Sequence, residues 1–190
     1  MSMSSKPVRA SHTIPCGDRS ESELTRIAMQ KCPPDVFGLA EQLGIRLHAA
    51  ELPDDMAGDI FPSRSGWVIR YNCMDGPSRQ RLTVAHMLGH HLLHRHLLKE
   101  GDRPGTNADR NYHADRRGEH ASSHIAREHE VEASRHALRL LMPMELVRPL
   151  LQETGDIEEV ARMLAVTSKA LRLRINSQTR SVAVPQGMSR

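Results

Sequence analysis

The sequence predicts a helix-rich α+β fold, a single domain with a small antiparallel sheet, on three observations. Hydrophobic residues make up 38% of the chain but aromatics only 3%, so the core must be built from Leu, Val, Ile, Ala and Met, which favours helices over an aromatic-rich sandwich. Apolar residues recur three and four positions apart in several separate stretches, the period of a helix with one buried face. Between two of these stretches, residues 45–72 alternate or carry strand-forming types bounded by turn formers. At 190 residues the chain supports one substantial core and is short for two.

The elements follow in order. Met1 to Ser20 is polar and punctuated by proline, the composition of a disordered arm. A helix is predicted from Glu21 to about Gln30. After Pro33-Pro34 a second runs from Asp35 to Leu43, with Val36, Leu39, Ala40 and Leu43 on one face and Gly44 as its stop. Ile45 to Leu52 reads as a strand and Met56-Ala57-Gly58 as a loop. Asp59 to Pro62 and Trp67 to Asn72 read as strands joined by the turn Ser63-Arg64-Ser65-Gly66. Ser78 is placed as the cap of a helix from about Arg79 to His96. Residues 97–125 form a polar insertion, too long for a plain connection and therefore either functional or disordered. Helices are predicted again over Ala126 to Met142, Glu145 to Gln152, Ile157 to Leu164 and Ser168 to Ile175. The domain thus spans 21–176, between an arm (1–20) and a flexible tail (177–190), with no internal repeat.

Net charge is +3, from 26 basic and 23 acidic residues, a bias that permits an acidic partner without requiring one. Cys16, Cys32 and Cys73 are odd in number and lack the Cys-x-x-Cys spacing of a zinc knuckle or redox site, so a reducing cytoplasm is the expected location. No apolar run approaches a membrane span, and the first twenty residues lack the apolar stretch of a signal peptide.

The chemistry concentrates in His86-Met87-Leu88-Gly89-His90. Residues four apart share a helix face, so His86 and His90 can direct both imidazoles at one metal ion. The alternative is a histidine-rich solvated face, since His91, His94 and His96 crowd the same segment. Two ligands hold zinc poorly, and a two-histidine helix is commonly completed by a carboxylate from elsewhere. Glu128, Glu130 and Glu132 are the candidates on the next amphipathic helix. Glu130 shares its face with Ser134, Ala137, Leu138 and Leu141, whereas Glu128 and Glu132 share theirs with Arg135 and Arg139, so Glu130 is the inward-facing one. Ser134, one turn on, can hydrogen-bond a ligand from behind. His94 is read as structural or as supporting a ligand, because a third ligand from one helix would have to bend back to the same ion. The competing reading of Glu130 is a partly buried acid paired with an arginine.

These residues carry a resemblance. Arg81-Leu82-Thr83-Val84-Ala85-His86-Met87-Leu88-Gly89-His90-His91-Leu92-Leu93-His94 resembles the signature helix of the ImmA/IrrE metallopeptidases, R-F-T-L-A-H-E-L-G-H-x-L-L-H. Residues Glu130 to Pro143 resemble the family's E-x-E-A-N-x-F-A-x-x-L-L-M-P, and Val160 to Arg174 its terminal L-A-x-x-F-x-V-S-x-x-A-L-x-x-R-L. The resemblance covers roughly Asp35 to Asn176. It implies a zincin-like metallopeptidase fold of the gluzincin type, with Zn2+ held by His86, His90 and Glu130, and a helix-turn-helix repressor protein or peptide as partner.

Two departures stand out. The family's general base, the Glu after the first His, is Met87 here, and a thioether can neither accept a proton at neutral pH nor hold an attacking water as a carboxylate does. The spacing from His90 to Glu130 is 130 − 90 = 40 positions, longer than expected for the family, and the excess falls in 97–125. That insertion holds Asp109, His113, Asp115, Glu119, His120 and His124, any of which is a candidate substitute base. Ser134 and His136 also stand where the family has Asn and Phe.

Three functions follow. The first is a zinc-binding, peptidase-like protein with lost or redirected catalysis. The second is an active zinc-dependent hydrolase using a substitute base. The third is a DNA-binding regulator, because residues 157–175 resemble a helix-turn-helix with Lys169, Arg172 and Arg174 on its second helix. The same pattern is the family's ordinary C-terminal packing element, so DNA is not the expected partner.

Overall fold

The computed structural model describes residues 19–53, 55–98, 105–107 and 125–182, with side chains described at 19–53, 55–98 and 125–177. Most of the arm, most of the 97–125 insertion and the end of the tail lie outside the described residues. So do all six of the insertion's candidate bases, Asp109, His113, Asp115, Glu119, His120 and His124.

Two helices open the described chain, α1 (Glu21–Met29) and α2 (Val36–Gln42). Ser20 caps the first, its hydroxyl accepting the Glu23 N–H, and the Asp35 carboxylate caps the second through the Gly38 N–H at 2.9 Å. Gly44, at φ +72°, takes the left-handed position that ends α2.

Next come β1 (Arg46–Ala50), β2 (Met56–Ser63) and β3 (Gly66–Asn72), with a further strand, β4 (Gly105–Asn107), contributed by the insertion. The sheet order is β1-β3-β2-β4. It is mixed rather than antiparallel as predicted, because β1 runs parallel to β3 while β2 pairs antiparallel with both β3 and β4. The cause lies in the strands' composition. β3 carries Trp67, Val68, Ile69 and Tyr71 and is placed inside the sheet, whereas the more polar β1, with Arg46 and His48, is left at an edge. The chain after Ala50 therefore passes the β3 position, forms β2, and returns through a hairpin. Met56 to Gly58, predicted as a loop, belongs to β2, since the insertion supplies the partner that pairs there.

The central helix α3 (Pro77–Gly89) begins two residues before the predicted start. Gly76, not Ser78, is its N-cap, and Pro77 takes the first helical position, where its fixed φ and missing N–H suit the turn. Its α-helical part ends at Gly89 and gives way to a π-helical turn, His90–His94, and a 3-10 turn, Arg95–Leu97. A five-residue stretch is too short for its apolar spacing to separate these geometries. Gly58 lets α3 lie against β2, since a Cβ there would fall 2.5 Å from Thr83 Cγ2, one turn before His86.

The chain then forms α4 (Arg127–Leu141), α5 (Met144–Thr154), α6 (Ile157–Met163) and α7 (Ser168–Val182). α7 runs beyond the predicted end at Ile175 into residues read as tail. The core joins Leu39 of α2, Ile60 and Ile69 of the sheet, Leu88 of α3, Leu140 and Leu141 of α4, and Leu164 and Leu171 around α6 and α7, all essentially without exposure. The α6–α7 pair is tied into this core. Arg174 is buried and donates its Nε–H to the Met142 carbonyl at 3.2 Å, and Arg172 pairs with Glu158 at 3.0 Å, whereas Lys169 is exposed. No helix among the described residues is long and apolar enough to cross a membrane.

Candidate metal centre

The site forms where α3 and α4 meet. Gly89 faces Ala133 so closely that a Cβ on it would stand 2.9 Å from both the Ala133 Cα and carbonyl oxygen. The missing side chain lets α4 approach, with Glu130 one turn before Ala133. The ligand-capable atoms of His86, His90 and Glu130 all lie within 4.8 Å of one another. His86 Nε2 and His90 Nε2 are 3.0 Å apart, and the Glu130 carboxylate reaches both rings, Oε2 at 3.1 Å from His86 and Oε1 at 3.3 Å from His90.

These separations suit a metal ion. Four-coordinate zinc bonds imidazole nitrogen and carboxylate oxygen at about 2.0–2.2 Å, so neighbouring ligand atoms in a tetrahedral set lie about 3.3 Å apart. Two neutral imidazoles and one carboxylate, all turned inward, are also the donor chemistry of a three-ligand site with an open position. His90 is buried, and its burial lowers the ring's pKa more than Glu130 raises it, which keeps the metal-binding neutral form available. Burial works to raise the Glu130 carboxyl, but hydrogen bonds with His86 and His90 outweigh it and hold the group well below the usual carboxylate range.

Behind the ligands stand their supports. Ser134 Oγ lies 3.3 Å from His86 Nδ1. His94 Nδ1 lies 3.4 Å from His90 Nδ1, and its Nε2 reaches Glu132 Oε2 at 2.9 Å. The His129 ring packs 4.8 Å from that of His94, and its Nδ1 accepts the Ala126 N–H at the start of α4. His91 is buried edge-to-face against Trp67 on β3, at 5.0 Å.

The helix-face reading selects Glu130 from the three glutamates, and Glu130 is the one that meets both histidines, while Glu128 is exposed. Glu132 adds a contact that the reading did not foresee. Its side chain is 56% exposed, on the face assigned to Arg135 and Arg139, yet the carboxylate turns back to His94. The reading also missed His129; the recurrence of histidine near both helix faces was the available signal.

Met87 has no exposure and packs in the hydrophobic core with Val84, Ala85 and Leu88. Two nearby carboxylates are engaged elsewhere. Glu132 is separated from the metal position by two imidazole rings, and Asp59 is held in the sheet by a bidentate pair with Arg70.

Residues 40–176 match the IrrE N-terminal-like domain, Peptidase_M78. The chain belongs to this family. The match takes in the whole sheet, both helices of the metal centre and most of α7, so the IrrE-like domain holds all of the site residues described above. No curated protein matches the chain. The matched range contains the His86–His90–Glu130 group, whose geometry could hold a metal ion.

Proposed function

We propose that this chain is a zinc-binding member of the IrrE-like family that has lost efficient peptide hydrolysis and uses its pocket for binding, with a helix-turn-helix repressor or a peptide from one as partner. The observation that carries the reading is Met87. A buried thioether stands at the position of the general base, beside a ligand set that is otherwise complete.

Zinc held by His86, His90 and Glu130 would supply Lewis-acid polarisation of a bound carbonyl. The chain's own residues contribute orientation: Ser134 and His94 contact the outward nitrogens of the two ligand rings, and Glu130 gathers both rings from α4. Met87, with its thioether, cannot take a proton from a nucleophile at that position. Loss of a positioned base lowers the rate by roughly 10²–10⁴-fold, enough to leave binding as the main use of the site. The engagement of Arg172 and Arg174 within the fold favours a packing role for α6–α7 over DNA contact. Cys32 and Cys73 are free thiols, which suits a cytoplasmic location.

The test pairs elemental analysis with a cleavage assay against a co-encoded repressor. Purified protein should carry zinc and form a complex with the repressor without cutting it. Met87→Glu, with its fold checked by circular dichroism, should raise zinc-dependent cleavage. Zinc-dependent turnover by the unaltered chain at the rate of a Glu-containing relative would overturn the proposal.

A further inference from the structure

We propose that Glu132, His94 and His90 form a positioning relay that presets His90 as a metal ligand through Nε2. The inference rests on the metal reading above.

A histidine that gives its Nε2 lone pair to a cation carries its proton on Nδ1, and that proton needs an acceptor. For His90 the available partner is His94 Nδ1, 3.4 Å away. An imidazole nitrogen accepts only when the ring's proton sits on its other nitrogen. In His94 that other nitrogen is Nε2, and it lies 2.9 Å from Glu132 Oε2. A carboxylate accepts and does not donate, so it gives the chain a direction. Glu132 favours the Nε2–H form of His94, that form leaves Nδ1 as an acceptor, and the acceptor favours the Nδ1–H form of His90. The Nε2 lone pair of His90 is then free toward His86 and Glu130.

The surroundings protect this order. His90 and His94 are buried, while Glu132 keeps its charge in partial contact with solvent. The π-helical turn begins at His90 and ends at His94, setting both rings on one side with centroids 5.4 Å apart. His129 packs on the flank of His94. The two histidine ligands are thus supported differently, His86 by the neutral hydroxyl of Ser134 and His90 by a relay ending in a charge. The plain alternative, a half-exposed ion pair between His94 and Glu132, would have little consequence.

The experiment uses the full chain. Zinc affinity is measured by chelator competition for the unaltered protein, Glu132→Ala, Glu132→Asp and the control Glu128→Ala, an exposed carboxylate on the same helix. The relay requires Glu132→Ala to weaken zinc by roughly 10–100-fold, the usual effect of removing a group that orients a ligand. Glu132→Asp should recover part of the loss, and Glu128→Ala should bind like the unaltered chain. A second readout needs no variant: nitrogen-15 shifts of the zinc-loaded protein should show His90 protonated at Nδ1 and His94 at Nε2. Unchanged zinc affinity in Glu132→Ala, or His94 protonated at Nδ1 in the zinc-loaded protein, would overturn the relay while leaving the metal reading standing. Failure of the unaltered chain to bind zinc would overturn both.

Discussion

Gly89→Ala is a small change with a specific consequence. On an ordinary helix it is favourable by about 0.8–1.0 kcal/mol, because alanine loses less backbone freedom than glycine. Here the new methyl would meet the Ala133 Cα and carbonyl oxygen at 2.9 Å and its Cβ at 3.2 Å, inside the roughly 3.5–4.0 Å of an unstrained carbon contact. Backbone atoms cannot rotate aside, so relief requires α3 and α4 to separate by several tenths of an ångström. Overpacking of this kind costs about 1–3 kcal/mol, which leaves a net loss of about 0–2 kcal/mol after the propensity gain. The metal centre should suffer more than the fold. Ala133 lies between Glu130 and Ser134 in sequence, and Gly89 adjoins His90, so separating the helices withdraws Glu130 from both rings at once. A loss of about 1.4 kcal/mol in binding is a tenfold fall in zinc affinity. Urea unfolding of the metal-free protein and chelator competition measure the two effects separately. A Gly89→Ala protein at least as stable as the parent, with undiminished zinc affinity, would refute the close approach of the two helices as the device that assembles the site.

Other expectations follow from the same geometry. The His86→Ala, His90→Ala double variant should lose its zinc by elemental analysis, and Glu130→Gln should retain zinc more weakly than the parent. His136 has a buried Nε2 without a hydrogen-bond partner, so His136→Phe should stabilise the fold by about 1–3 kcal/mol in thermal or urea unfolding. Burial holds the His136 pKa below its ordinary 6.5, so the unfolded chain takes up a proton first as pH falls. The parent therefore loses stability below pH 6.5, and the melting-temperature gain of His136→Phe should widen from pH 8 to pH 5. Arg174→Met should destabilise by about 1–3 kcal/mol, because the Met142 carbonyl at the end of α4 loses its donor.

The parts legible in the sequence were those governed by helix period. His86 and His90 share a face at four-residue spacing, and Glu130 separates from Glu128 and Glu132 by the company it keeps on α4. Less legible were features set by partners remote in sequence. β3 lies inside the sheet because it is more apolar than β1, a comparison between strands, and Met56 to Gly58 become strand through pairing with residues 105–107. The π turn at His90–His94 differs from an α-helix by a fraction of a residue per turn, which five residues cannot reveal. Glu132 is on the exposed face, as its spacing placed it, but helix-face analysis places the Cα and does not foresee that the long side chain's carboxylate reaches His94.

The pairing of β4 with β2 also bears on the long interval between His90 and Glu130. Those ligands are 40 positions apart in sequence, and bringing such distant positions together carries a closure entropy. Closure entropy grows only logarithmically, so even doubling such a loop costs about 0.6 kcal/mol. The pairing of Gly105–Asn107 with β2 ties one described segment of the interval to the same sheet that packs against α3. A change in the number of residues between the two ligands therefore costs little in closure entropy, which makes the interval a place where the chain can diversify around a fixed centre.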